Sequence, residues 1–479
     1  MRLRYFLILL LFVLPRAAAE GLPDLGDVSQ AAFTPAQERR LGERIMREIR
    51  ADRSFYDDIE ATDYINSIGN RLVARGSDAR QRFDFFLIND RSINAFALPG
   101  GFIGVHTGLL LSAQSESELA GVLAHEIAHV TQRHIARMLD QQKRSAVTSL
   151  AALAIAILAA RAGSDAAQAA IAFGQAGVIQ SQLNFTRDNE READRVGVQI
   201  LDRAGYDPRG MPVFFERLQR ATRFYESGAP SYLRTHPLTF ERIADAQNRV
   251  ENLPYRQIPD SIDFQLIRAK IRAQLDQPRE ALTFFEESLA QRKFLSEAAS
   301  RYGLTASLVR TGDNVRARKE LAALRSIVPH SPIVENLGCR LLSAVDQRRN
   351  ETLACYREAL RGHPAYRALA YDYVEALLQG GQPDAALKVV ETGLRANPED
   401  HRLYLLQSRA NAMLNRRFAQ HRAQGEAYAL LGNLTAAVEQ LQIALKTGEG
   451  DFYQLSNAEA RLRELRRLAE LERKEGLKP

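Results

Sequence analysis

The sequence predicts a mainly α-helical protein in two parts, an α+β unit holding a small sheet and then an all-α repeat array. Three observations carry this. Apolar residues recur at helical spacing over most of the chain, strand-like clusters are confined to the stretch between Arg82 and Val105, and beyond about residue 255 helix follows helix with prolines at 329, 364 and 398. With 479 residues, 46% apolar and 25% charged, the chain can bury a full core and exceeds one ordinary domain. A net charge of only +6, lower still once Arg2, Arg4 and Arg16 are removed, argues against a nucleic-acid partner.

In chain order, Arg2 and Arg4 precede an apolar run from Tyr5 to Leu14, then Pro15, Arg16 and Ala17-Ala18-Ala19. Charged, apolar and small-residue segments in that order read as a secretory signal, residues 1–19, cut before Glu20, which places the mature protein outside the cytoplasm. The run is too short to span a bilayer. A helix starts at Thr34-Pro35, with Thr34 as N-cap and Pro35 as first helical residue. Strands are expected over Arg82–Ile88 and within Asn94–Val105, where Pro99-Gly100-Gly101 supplies the turn. Ser115 and Glu118 form a capping-box pattern ahead of a helix carrying His125, Glu126 and His129.

The Ala/Leu/Ile run Ala146–Ala160 is short for a membrane span, and a buried hairpin or lid is preferred to a flap in peripheral contact with a membrane. The three prolines lie 35 and 34 residues apart, the period of the tetratricopeptide repeat, with four or five units expected. Cys339 and Cys355 fall on either side of a turn between two expected antiparallel helices; a disulfide and a pair of reduced core cysteines are equally compatible with that placement.

His125-Glu126-Ile127-Ala128-His129 sets two imidazoles one turn apart on one helix face, so both can ligate one ion. Glu126 points to the same open side and can accept a proton from water. Imidazole and carboxylate donors with no cysteine nearby suit one Zn2+ per chain. A third ligand is expected from Asn189-Glu190-Arg191-Glu192-Ala193-Asp194, with Glu190 ligating and Asp194, one turn on, accepting the N–H of a ligating histidine. Glu192, about 160° around the helix from Glu190, is read as solvated. His236, in Thr235-His236-Pro237-Leu238, is a candidate plug for the open metal position or a stabiliser of an oxyanion. His134, about 140° around a continuous helix from His129, is read as a surface residue. Asn94 and Ala95 are candidate substrate contacts on a strand edge to which an extended peptide could add.

Asn94-Ala95-Phe96-Ala97-Leu98-Pro99-Gly100-Gly101, His125 to His129, the Glu190–Asp194 cluster and the His236-Pro237 segment together resemble the M48 family of zinc metallopeptidases. With a signal and a repeat array, the chain is similar to periplasmic members of that family in Gram-negative bacteria. The resemblance implies a gluzincin-like metalloprotease domain over residues 20–255 and a tetratricopeptide domain over 256–479. It further implies zinc held by His125, His129 and Glu190, Glu126 as catalytic base, with Asp194 and His236 supporting catalysis. The implied clients are unfolded or assembling outer-membrane proteins and their assembly machinery, in the periplasm and in association with the outer membrane. A chaperone or assembly adaptor with latent proteolysis is the competing expectation, since repeat surfaces bind without doing chemistry.

Overall fold

The computed structural model describes residues 34–76, 81–141, 187–222, 231–344 and 349–474. The expected signal segment and the Ala146–Ala160 run lie outside the described residues.

Helix α1 (Pro35–Ala51) starts with Thr34 as N-cap and Pro35 in its first turn, as the sequence predicts, and Gln37 makes the cap a reciprocal capping box. Its buried stripe of Leu41, Ile45, Met46 and Ile49 packs with Phe86, Ile88, Leu98 and Phe102 of the sheet. Helix α2 (Ile59–Val73) is capped by the Asp58 carboxylate, which accepts from the Ala61 amide. Strands β1 (Asp84–Ile88), β2 (Ala95–Leu98) and β3 (Phe102–His106) form one sheet in the order β1-β3-β2, with β1 parallel and β2 antiparallel to β3. The β2–β3 turn needs left-handed backbone at Gly100 and Gly101, with φ of 78° and 86°, which glycine adopts without steric cost.

The two sheet edges differ. On β1, the Asn66 amide group bonds both the N–H and the C=O of Phe85, and the Tyr56 N–H takes the Leu87 carbonyl, so that edge is covered. On β2, the His106 N–H bonds the Asn94 carbonyl, which fixes the alternation: Phe96 and Leu98 bond inward to β3, while the backbone groups of Ala95 and Ala97 face away from it.

Helix α3 (Thr107–Ser112) leads into α4 (Glu116–Thr131), whose N-cap is Ser115 accepting from the Glu118 amide. The Glu118 side chain accepts from the Gln114 amide and pairs with Arg217, so the box is half made. A turn follows, in which Arg133 takes φ 53°, and α5 (His134–Gln141) sets off in a new direction. Helices α6 (Arg187–Arg203), α7 (Gly210–Thr222), α8 (Ser231–Thr235) and α9 (Phe240–Glu251) follow among the described residues of this half.

The second half is helical throughout its described residues: α10 (Ile262–Leu275), α11 (Pro278–Ala290), α12 (Glu297–Thr311), α13 (Asn314–Ile327), α14 (Pro332–Ser343), α15 (Arg349–Gly362), α16 (Arg367–Gln379), α17 (Pro383–Ala396), α18 (His401–Met413), α19 (Arg417–Leu430), α20 (Leu434–Lys446) and α21 (Phe452–Lys474). Those are six pairs, more than the four or five units expected. Prolines 329, 364 and 398 close only the second, third and fourth pairs, and the fifth ends on Gly432 at φ 77° instead. Cys339 on α14 and Cys355 on α15 are disulfide-bonded.

The two halves share a core. One apolar cluster runs from Tyr56 and Ile65 through Leu123 and Phe215 to Phe264, Tyr302 and Leu341. Within that junction the Lys270 ammonium of α10 pairs with Asp58 at 2.7 Å and with Glu60, while Glu60 also accepts from Asn336 and Tyr366, each at 3.0 Å. Lys270 and Glu60 are buried, and each is paired, the condition under which charge is tolerated in an interior.

Candidate metal centre

Helix α4 brings His125 and His129 one turn apart, with their Nε2 atoms 3.0 Å from each other. Helix α6 packs against it closely enough that a Cβ on Gly197 would lie 3.2 Å from the His125 backbone nitrogen. Only hydrogen fits there without moving a neighbour. The approach puts a Glu190 oxygen 3.4 Å from each of the two Nε2 atoms. From the turn after α8 comes His236, with Nδ1 3.0 Å from Glu190 and 3.4 Å from His125. Its ring stacks on Tyr232, centroids 4.8 Å apart.

His125, His129, Glu190 and His236 thus each offer one donor atom, all within 4.8 Å of one another, and all four are buried. The donor set fits zinc: three imidazole nitrogens and one carboxylate oxygen converge on one point, with borderline-soft and hard donors and no thiolate. His125, His129 and Glu190 are the ligands expected from sequence, and the structure brings them together. His236 joins them as a fourth donor.

Glu126 lies beside the set, its Oε1 3.4 Å from His236 Nε2. Burial raises its pKa above the ordinary carboxylate value, against the opposing charges of His236 and His125. Asp194 Oδ1 stands 3.0 Å from His125 Nδ1, as the sequence spacing predicts. Burial raises the Asp194 pKa, and the His125 and Arg242 contacts override it to leave the group below its usual value.

Asn94 and Ala95 are both buried, Ala95 completely. Any contact they make with an extended peptide runs through the backbone, along the outward groups of Ala95 and Ala97.

Three residues escape the sequence reading. Arg242 on α9 donates to both Asp194 oxygens at 2.8 Å, stands 2.8 Å from Glu190 Oε2, and donates to the Pro237 carbonyl at 2.7 Å. Two buried carboxylates on one helix face demand a counter-charge, and that demand was the available signal. Tyr232 lies four residues before His236, one helical turn, and that spacing was the available signal. His134, expected at the surface, is fully buried, with Nδ1 2.8 Å from His129 Nδ1 and Nε2 3.1 Å from Glu192 Oε2. The correction has a plain cause: the helix breaks at Arg133, so its angular spacing does not extend to residue 134. Glu192, expected to be solvated, keeps 28% side-chain exposure and pairs with His134 and Arg137.

Comparison with known proteins places these features in context. Residues 60–250 match the profile of Peptidase family M48, and residues 346–410 match that of the Tetratricopeptide repeat. The chain is 35% identical over 456 residues to the Beta-barrel assembly-enhancing protease of Escherichia coli (strain K12), covering 95% of this chain and 93% of that one. It is 36% identical over 421 residues to the Putative beta-barrel assembly-enhancing protease of Vibrio cholerae, covering 87% and 86%. A Mitochondrial metalloendopeptidase OMA1 of Schizosaccharomyces pombe is 29% identical over 224 residues, covering 46% of this chain and 62% of that protein.

Proposed function

The chain belongs to peptidase family M48 and is a metalloendopeptidase, and on that premise we propose that it uses one zinc ion to cleave unfolded or misassembled outer-membrane proteins. The observation that carries the proposal is the convergence of His125, His129, Glu190 and His236 on one point with Glu126 alongside. The relatives named for β-barrel assembly supply the client class.

In this reading His125, His129 and Glu190 hold the ion. When bound, zinc supplies Lewis acidity to the water and to the scissile carbonyl. Glu126, buried beside the donor set, takes the proton from the water and returns it to the leaving amine. Asp194 accepts the Nδ1 proton of His125, which keeps the Nε2 lone pair on the metal side. His236 completes the donor set and leaves it when substrate arrives; its place among the donors favours this over an oxyanion role. An extended client adds to the outward edge of β2 through Ala95 and Ala97, a mode that needs a flexible chain.

Residues 20–255 form the catalytic unit and 256–479 the array, which recruits clients or assembly machinery. The protein acts in the periplasm, at the outer membrane, after cleavage before Glu20. No helix among the described residues is long and apolar enough to cross a membrane.

A second reading, an assembly adaptor with rare proteolysis, is favoured by one observation: His125, Glu126 and His129 are fully buried and His236 occupies a place in the donor set. Zinc-loaded protein, Glu126→Gln and His236→Ala are to be incubated with an unfolded β-barrel protein. Cleavage that is faster in His236→Ala and abolished in Glu126→Gln supports the first reading. Zinc-loaded His236→Ala that leaves every unfolded client intact rejects it.

A further inference from the structure

We infer that His134 and Glu192 form a hydrogen-bonded relay that fixes the ring of His129, so that a single helix, α6, orients both imidazoles of the metal pair. The inference rests on the assignment of His129 as a ligand.

The geometry leaves one consistent proton arrangement. His129 Nε2 points into the donor set, 3.0 Å from His125 Nε2 and 3.4 Å from Glu190, so its lone pair must face the ion. The ring proton then sits on Nδ1. Only 2.8 Å away is His134 Nδ1, and one of two nitrogens at that distance must donate. His129 donates, His134 accepts, and the His134 proton is therefore on Nε2. That atom lies 3.1 Å from Glu192 Oε2, which accepts it. Arg137 Nη2 donates to the same oxygen at 3.1 Å and keeps the acceptor in place.

His125 has its carboxylate partner on the same helix, Asp194, whose Oδ1 stands 3.0 Å from His125 Nδ1. Alternate residues of α6 thus divide the work: Glu190 ligates, Asp194 orients His125 directly, and Glu192 orients His129 through His134. The intermediary is required because Glu192 leaves α6 on a different side from Glu190 and Asp194, and α5 supplies the ring that spans the gap. Ligating histidines depend on such partners for ring orientation and tautomer, and loss of a partner lowers metal affinity about 10–100-fold. His134 and Glu192 are positioning residues; neither contacts substrate in this account.

Zinc affinity of the full chain, measured by competition with a chromophoric chelator, tests the relay, with melting of the metal-free protein followed in parallel. His134→Phe keeps a ring in the buried space and removes both nitrogens; the expected result is affinity reduced about 10–100-fold. Glu192→Ala is expected to weaken binding less, and Glu192→Gln to restore most of it, because the amide oxygen still accepts from Nε2. In imidazole nitrogen NMR, the Nδ1–H signature of His129 is expected in the parent protein and lost in His134→Phe. Parental zinc affinity in His134→Phe overturns the inference. So does affinity that falls only in step with melting of the metal-free protein. Should His134→Phe fail to fold, Glu192→Ala decides alone, since Glu192 is partly exposed. His129→Ala separates the two levels: unchanged zinc affinity there refutes the ligand assignment itself, whereas loss there with parental affinity in His134→Phe refutes the relay only.

Discussion

Arg242 grips Asp194 with two parallel hydrogen bonds, Nε to Oδ2 and Nη2 to Oδ1, both 2.8 Å, while its Nη1 stands 2.8 Å from Glu190. One guanidinium therefore serves as a shared counter-charge for two buried carboxylates on α6. Removing it in Arg242→Ala leaves both without that counter-charge and is expected to destabilise the metal-free protein by about 3–5 kcal/mol. Arg242→Lys should recover little, because a point charge cannot match the fork. Urea unfolding checks this, and the deficit should shrink once zinc contributes its own positive charge.

Lys270→Met tests the junction between the halves. Asp58 and Glu60 would lose their shared cation, at an expected cost of about 3–5 kcal/mol. Limited proteolysis should then cut the link at residues 252–261 faster than in the parent. Adding Glu60→Gln to the variant should return part of the stability, since it removes one of the stranded charges.

Gly197→Val tests the packing of α6 on α4. A Cβ there would meet Met211 Cε at 2.9 Å and the His125 nitrogen at 3.2 Å; the methionine can move and the backbone cannot. The expected cost is about 1–3 kcal/mol. Zinc affinity should fall as well, because Glu190 moves away from the histidines; titration with the metal reads this directly.

His401, at the start of α18, titrates at about 4, held down chiefly by burial and then by the charge of Arg50, with Asp400 opposing. Its folded pKa lies below the ordinary value of 6.5, so in acid the unfolded chain binds the proton first. Stability contributed above pH 6.5 is lost as pH falls toward 4. Discounted for partial exposure, the loss is about 2 kcal/mol. His401→Gln should flatten that portion of the stability–pH curve, as measured by urea midpoints.

What could be read from the chain alone follows from short-range geometry. His125, Glu126 and His129 share one helix, and so do Glu190 and Asp194, so a period of 3.6 residues was enough to place each group. Thr34 and Ser115 announced their helix starts for the same local reason. His134 could not be placed, because the left-handed turn at Arg133 redirects the chain and Arg carries no turn signal. Arg242 was hidden differently: its partner Asp194 lies 48 residues earlier, and charge compensation across packed helices leaves no periodic trace. The end pairs of the array were undercounted because glycine, where proline was expected, stops the fifth.

The Asn66 side chain, bonded to both polar groups of Phe85, makes the sheet one-sided. A protein whose proposed clients are unpaired β-strands is itself at risk of being zipped up by them. A carboxamide that impersonates a neighbouring strand closes that approach, so an arriving chain finds a single lane, the one beside Glu126. Replacing Asn66 would free both polar groups of Phe85, while the Tyr56 N–H would still hold the Leu87 carbonyl, so a second lane would open only in part.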